Sequence, residues 1–370
     1  RAAVAARCPR DAAAQFAAVA SRPALPPSGP VRLPPLVWQP RRPRFGQIVY
    51  ALLDRPLSEG KVLTVYPRFS LERLETLLPS AIRCVTLEVE PGEIVTTMLG
   101  GLLAWVGARR RDVRRELELI ALFLWHGLLT TGENHANGRL TRLIARCPFR
   151  KHLMSPRLVH VGRQALRRAK AYHITVDHAW RQVVRFTQEL TYSVQQGDCW
   201  LSDELALLFW LVGRVADNPW RRGGLTFHSV ELWHTASGEL VAGDIGCICG
   251  GIYTSATGFC KKERFPGSGT VLLTALGRWL SRSGVHVWDF GQVLKYKEDL
   301  GAEEWSFVDW LGINERFRVM PPAPLLSPPA CEANAHHLMT SEVDAGDVLF
   351  AHRGRQAKGR EGTRRRWVCC

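Results

Sequence analysis

The stretch TFHSVELWH, residues 226 to 234, alternates side-chain character from one residue to the next. That is the period of a strand with two unlike faces. His228, Val230 and Leu232 fall on one face, and Ser229, Glu231 and Trp233 on the other. A Gly-Glu-Leu turn at 238 to 240 sends the chain back into LVAGDIGCICGGIYTS, residues 240 to 255, read as one strand broken by glycines. TVLLTALGRWLSRSG, residues 270 to 284, then changes period. Leu272, Leu276 and Leu280 are four apart, and Gly284 is a natural helix stop. VHVWDF, residues 285 to 290, is a further strand. A hairpin followed by a helix and another strand excludes an all-helical bundle and a pure β sandwich. The reading is α+β, a mixed β-sheet flanked by helices.

Upstream, AYHITVD (171 to 177) reads as a strand and HAWRQVVRFTQEL (178 to 190) as a helix. ELALLFWLVGRV (204 to 215) reads as a second helix, with Asp203 as its N-cap. A helix over Arg111 to Leu128 has Leu117, Ile120, Leu124 and Leu128 as its apolar stripe. Ser70 to Leu78 suits a short helix capped by Ser70. Residues 1 to 45 end in proline-dense sequence and read as a disordered or targeting extension. Residues 46–150 form a smaller N-terminal domain, residues 151–325 the main domain, and residues 326–370 a loose basic tail.

The formal net charge of +15 suits an anionic partner, nucleic acid included. Some of it lies in the tail, where seven Lys/Arg between 351 and 370 face only Glu361. The ten cysteines are scattered and none has zinc-ligand spacing. Cys247 and Cys249 read as core thiols of an apolar strand, and the pattern as that of a reduced compartment. No apolar run approaches the ~20 residues of a membrane span. A cytoplasmic protein is expected. The Ala/Arg/Pro-rich first fifty residues, with Asp11 as their one acid, also resemble an organelle transit segment.

Three stretches invite chemistry. Arg264-x-x-Gly267-x-Gly269 stands before a helix, where backbone N–H groups and the helix dipole suit a phosphate. The same pattern occurs at a plain helix entry. Glu231, beside aromatic residues, suits an amine or an exposed strand position. Asp289 ends a short apolar strand before Gly291, a place for a catalytic acid or for a turn-stabilising one.

Taken in order, FHSVELW, LVAGDIG with GGIYTSATGF, and WDFGQVLKYKEDLGA resemble the leucyl/phenylalanyl-tRNA–protein transferase family, on the side of its eukaryotic members. YHITVDHAWRQVV, Cys199-Trp200-Leu201 and LVHVGRQALRR add to the likeness, which runs roughly from residue 118 to 315. The resemblance implies a GNAT-like acyltransferase domain behind a smaller N-terminal domain. It implies transfer of Leu or Phe from an aminoacyl-tRNA to the N-terminal amine of an acceptor protein, which marks that protein for degradation.

No metal or cofactor is implied, because the ester donor is already activated. The enzyme has only to position an amine, handle its proton and stabilise an oxyanion. On this likeness Asp289 handles the proton, with Gln292 as its partner and Glu231 as a further acid. The family's Gln position holds Gly291 here, and Lys262 stands near its second acid, with Glu263 beside it. Trp200 is expected around the adenosine. Ile252 and Phe259, with His228 and Ser255, are expected around the transferred residue and the acceptor. Arg157, Arg163, Arg167 and Arg168 are expected to meet acceptor-stem phosphates. A monomer, with no membrane partner, is expected. A CoA-dependent N-acetyltransferase on the same fold, and a degenerate binder of tRNA or N-termini, remain open at this point.

Overall fold

The computed structural model describes residues 62–65, 72, 74–76, 78–79, 92–97, 110–134, 140–147, 150–195, 199–214, 224–329 and 333–342. Residues 1 to 45, the Ser70 cap and most of the basic tail lie outside them. Among the described residues no helix is long and apolar enough to cross a membrane.

Two sheets organise the chain. The first has four strands, β1 (Val62–Val65), β2 (Gly92–Thr97), β3 (Thr130–Asn134) and β4 (Leu140–Cys147), in the order β1-β2-β4-β3. Helix α1 (Arg110–Trp125) precedes β3. Its apolar half is broader than a stripe: every residue from Leu119 to Leu124 is buried. One apolar core runs from Leu117 of α1 through Leu205 and Phe227 to Trp310, so α1 shares its core with the second sheet and its helices.

The second sheet has seven strands. They are β5 (Arg150–Met154), β6 (Tyr172–Val176), β7 (Thr226–His234), β8 (Glu239–Cys249), β9 (Ile252–Cys260), β10 (Val287–Gly291) and β11 (Glu303–Ser306). Their order is β11-β5-β10-β9-β8-β7-β6. β9 and β10 run parallel, and every other neighbouring pair is antiparallel. The mixed α+β reading therefore holds. The glycine-broken strand is corrected: Gly250, at φ +57, turns the chain into a hairpin, and 240 to 255 is parts of two strands. A side chain at Gly250 would strike the carbonyls of Phe317 and Arg318.

Helices cover both faces. α2 (Arg163–Ala169), α5 (Ser268–Arg282) and α8 (Ala335–Thr340) pack on one face, against Val230, Leu232, Ile248 and Trp288. α3 (Trp180–Gln195), α4 (Asp203–Leu211) and α7 (Phe307–Phe317) pack on the other, against Phe227, Ile245, Cys247 and Val287. The short α6 (Lys295–Asp299) follows β10. The parallel β9–β10 pair exists because α5 carries the chain back across the sheet between them. α5 ends as expected: Gly284 at φ +84 lets the Val285 N–H close onto the Leu280 carbonyl, 3.0 Å away.

Two local expectations change. Ser202, not Asp203, caps α4, its hydroxyl accepting from the Leu205 N–H at 3.2 Å. Part of the expected loose tail is docked. The Ile174 N–H donates to the Ala333 carbonyl at 2.7 Å, and Leu338 and Met339 of α8 are buried.

Candidate active site

Asp289 sits on β10, 1% exposed, with both oxygens occupied. Lys151 of β5 donates to Oδ2 at 2.6 Å, and the Thr254 hydroxyl reaches the same oxygen at 3.3 Å. The Gly291 N–H donates to Oδ1 at 2.8 Å. Lys151 is itself buried, its ammonium 4.3 Å from the centre of the Trp310 ring. The acid expected to have Gln292 as its partner is instead half of an enclosed ion pair with Lys151.

Gly291 explains the departure at the family's Gln position. Its φ is +69, which a side chain strains and glycine does not, and that turn brings its N–H back to Asp289. Gln292 is exposed. Its carbonyl accepts from Lys297 at 2.8 Å, and nothing places its side chain beside Asp289.

Glu231 is also enclosed. The Ser229 hydroxyl donates to its Oε1 at 2.5 Å and the Ala179 N–H at 3.1 Å, while the Thr175 hydroxyl donates to Oε2 at 2.6 Å. Burial pushes its carboxyl up against the pull of these three donors. The group ties β7 to the turn between β6 and α3. In that turn Asp177 has φ +60 and accepts from Arg214 and His228, both at 2.9 Å. His228 thus faces Asp177 on one side and the Thr226 hydroxyl, at 2.8 Å, on the other. Glu231 and Asp289 share a face, with β8 and β9 between their strands. At a strand spacing of about 4.8 Å that is roughly 14 Å, too far for one carboxylate pair.

Ile252 and Phe259 lie on the Asp289 face, in the same apolar core against which Trp200 packs. The Phe259 and Phe186 rings are 5.1 Å apart. Ser255 is on the opposite face. Glu263 is exposed in the turn before α5. Arg163, Arg167 and Arg168 are exposed on α2, and Arg157 is half-buried nearby in chain order.

The sequence reading passed over Asp244. It is buried on β8, and the Tyr253 hydroxyl (2.7 Å) and Ser255 hydroxyl (3.0 Å) both donate to its Oδ2. The Trp288 indole N–H donates to Ser255 at 3.0 Å. Burial pushes the Asp244 carboxyl up to about 6, against those two donors and Lys297. Lys297 gives its protons to the carbonyls of Phe290 (2.6 Å) and Gln292 (2.8 Å), and burial holds its ammonium down to about 8. A signal was present in each case. Asp244 is the one charge in LVAGDIGCIC, and Lys151 is the second residue of β5, after Arg150.

The backbone beside Asp289 is open in one place. β9 and β10 pair only through Ile252–Val287, Tyr253–Trp288 and Thr254–Asp289. From Ser255 on, β9 has β8 at one edge and, among the described residues, no strand at the other. Ser255 pairs with Gly246 and Thr257 with Ile245, so Ala256 is the extra residue of a bulge. Ser255 to Gly258 are half-buried. A bulged strand with a diverging parallel neighbour can present backbone N–H groups to an oxyanion.

A mixed sheet with helices on both faces, a bulged strand and a parting parallel pair give this part of the chain a GNAT-like fold. Residues 153–313 match the model of the leucyl/phenylalanyl-tRNA protein transferase family. Comparison with curated proteins gives no match. Among solved structures the chain is similar to FemX, with a TM-score of 0.33, 9% identity, and coverage of 66% of this chain and 78% of that one. It is also similar to L-PGS from Bacillus licheniformis, with a TM-score of 0.32, 11% identity, and coverage of 71% and 83%.

Proposed function

We propose that the chain transfers Leu or Phe from an aminoacyl-tRNA to the N-terminal amine of an acceptor protein, marking it for degradation. The observation that carries the reading is the family match over residues 153–313, a span that includes both strands of the parting pair and Asp289. The donor is an ester, so its acyl carbon needs an oxyanion site and an oriented amine, not a covalent nucleophile. The bulge of β9 supplies the backbone for the first. Trp200, Ile252 and Phe259 supply an apolar wall for the donor's aromatic and aliphatic parts. Asp289, pinned by Lys151, fixes the floor where the strands part. Arg163 and Arg167 are exposed on α2 to meet phosphates of the acceptor stem, with Arg168 beside them at the loop before α5.

The CoA-dependent alternative would use the loop before α5. That loop is already engaged. The Gly269 N–H donates to Cys260 Sγ, Arg264 pairs with Glu239 at 2.8 Å, and Arg168 packs against Gly267. The test is transfer of labelled Leu and Phe from charged tRNA to peptides beginning with Arg, Lys, Asp, Glu or Ala. Transfer to one class of peptide is the expected result. Binding of charged tRNA without transfer to any peptide would sink the proposal in favour of the degenerate binder.

A further inference from the structure

Asp289 has no oxygen to spare for an incoming amine. Lys151 and Thr254 share Oδ2, Gly291 holds Oδ1, and the group is closed from solvent. An α-ammonium group, with an ordinary pKa near 8, must nevertheless lose a proton before it can attack an ester at neutral pH. Asp244 differs in the two respects that matter. Both of its donors, Tyr253 and Ser255, use Oδ2, so among the described residues Oδ1 accepts no hydrogen bond. Ser255, through which it reaches the surface, begins the half-buried segment of β9 that β10 leaves uncovered.

We infer that Asp244, not Asp289, takes the proton from the acceptor's N-terminal amine, which enters beside Ser255 where β9 and β10 part. The inference rests on the transferase reading and names a residue for its proton step. The ammonium gives one proton to Asp244 Oδ1. The neutral nitrogen then bonds to the ester carbonyl carbon, the carbon–oxygen bond to the ribose breaks, and the ribose oxygen leaves with the second nitrogen proton. Asp244 returns its proton to solvent. The β9 backbone passes between this carboxylate on the α5 face and the donor wall on the other face. The amine meets the acyl group past Thr254, where β10 no longer pairs with β9.

The groups facing Asp244 are compatible with that role. Tyr253 and Ser255 of β9 are neutral donors, and Val230, its partner on β7, is apolar. From α6, Lys297 acts on it as a cation and Tyr296 lies close enough to feel its charge. Burial holds the Asp244 carboxyl up to about 6 and the Lys297 ammonium down to about 8, so of these two groups Asp244 is the one that titrates on the acid side of neutrality.

The experiment is the pH dependence of kcat/KM for the full chain between pH 5 and 9, with charged tRNA and a peptide acceptor, for the natural chain and Asp244→Asn. The natural chain should lose rate below about pH 6. Asp244→Asn, checked for thermal unfolding and tRNA binding, should lose about 10²- to 10⁴-fold and its acid limb. Transfer by Asp244→Asn at the natural rate with the limb in place overturns the inference and leaves the transferase reading standing. Absence of transfer by the natural chain overturns both. If Asp244→Asn does not fold, Ser255→Ala takes its place. It removes one donor to the carboxylate and should move the limb to higher pH, and an unmoved limb overturns the inference.

Discussion

Asp289 and Asp244 are the same residue in the same sheet, two strands apart and on opposite faces, and their surroundings give them opposite capacities. Asp289 meets a buried ammonium and a backbone N–H. Its charge is balanced, and a group that is balanced and closed serves position. Asp244 meets two hydroxyls on one oxygen and keeps the other. Its charge is only partly compensated, so its proton affinity lies where a base at neutral pH needs it. Burial alone does not distinguish a structural acid from a reactive one. The partner does: a fixed cation spends the charge, and hydroxyls leave it available.

The largest effect should come from breaking the balanced side. Lys151→Met leaves Asp289 buried without its cation, which costs about 3–5 kcal/mol by the general behaviour of halved buried pairs. Urea unfolding should show it as a lowered midpoint with an unchanged slope. Lys151→Met with Asp289→Leu should regain much of the loss, because paired apolar replacement removes both desolvation penalties. If Lys151→Met is as stable as the natural chain, the pair is not the anchor of this side.

Glu231→Gln tests the third buried acid and should have a smaller effect. A glutamine keeps an acceptor for Ser229 and Ala179 but turns an NH2 toward Thr175, whose hydroxyl already accepts from the Trp233 indole. One unsatisfied donor costs about 1–3 kcal/mol. Transfer by the folded fraction should be unaffected. Loss of transfer at full stability would move Glu231 from the group that ties the β6–α3 turn to the group that touches substrate.

What the sequence showed of this arrangement was its local part. β7 was legible residue by residue, because alternation is a property of neighbours, and α5 with its Gly284 stop for the same reason. The choice between Ser202 and Asp203 as a cap was not, since both residue types cap helices and only the approach of the Leu205 N–H decides. The hairpin at Gly250 was hidden by an apolar run that continues on both sides of it. The resemblance pointed to Asp289, but not to its partner, which lies 138 residues earlier in the chain. Nor did it show that the Gln position holds a glycine because the backbone there turns through positive φ. Asp244 stood out as a charge in an apolar strand. Its meaning depended on the bulge at Ala256 and the end of β10, which are matters of pairing and not of composition.

Tyr253→Phe should have the smallest effect and separates the two faces most finely. The tyrosine ring runs over Gly246, where a Cβ would strike it, and its hydroxyl ends on Asp244. Phenylalanine keeps the ring and removes one hydrogen bond, worth about 1 kcal/mol. The lost donor was holding the Asp244 carboxyl down, so without it the carboxyl should titrate above its present value of about 6. A folded-state pKa raised above the unfolded value gives stability that is complete below the unfolded pKa and is lost as pH rises through the folded one. Tyr253→Phe should therefore lose stability chiefly at neutral pH and little at pH 4, and the acid limb of transfer should move upward with it. A removed hydroxyl on the Asp289 side has no such signature, because Lys151 remains: Thr254→Val should leave the limb where it was. Equal shifts from the two substitutions would mean that the faces act as one site, and the contrast between their carboxylates would fall.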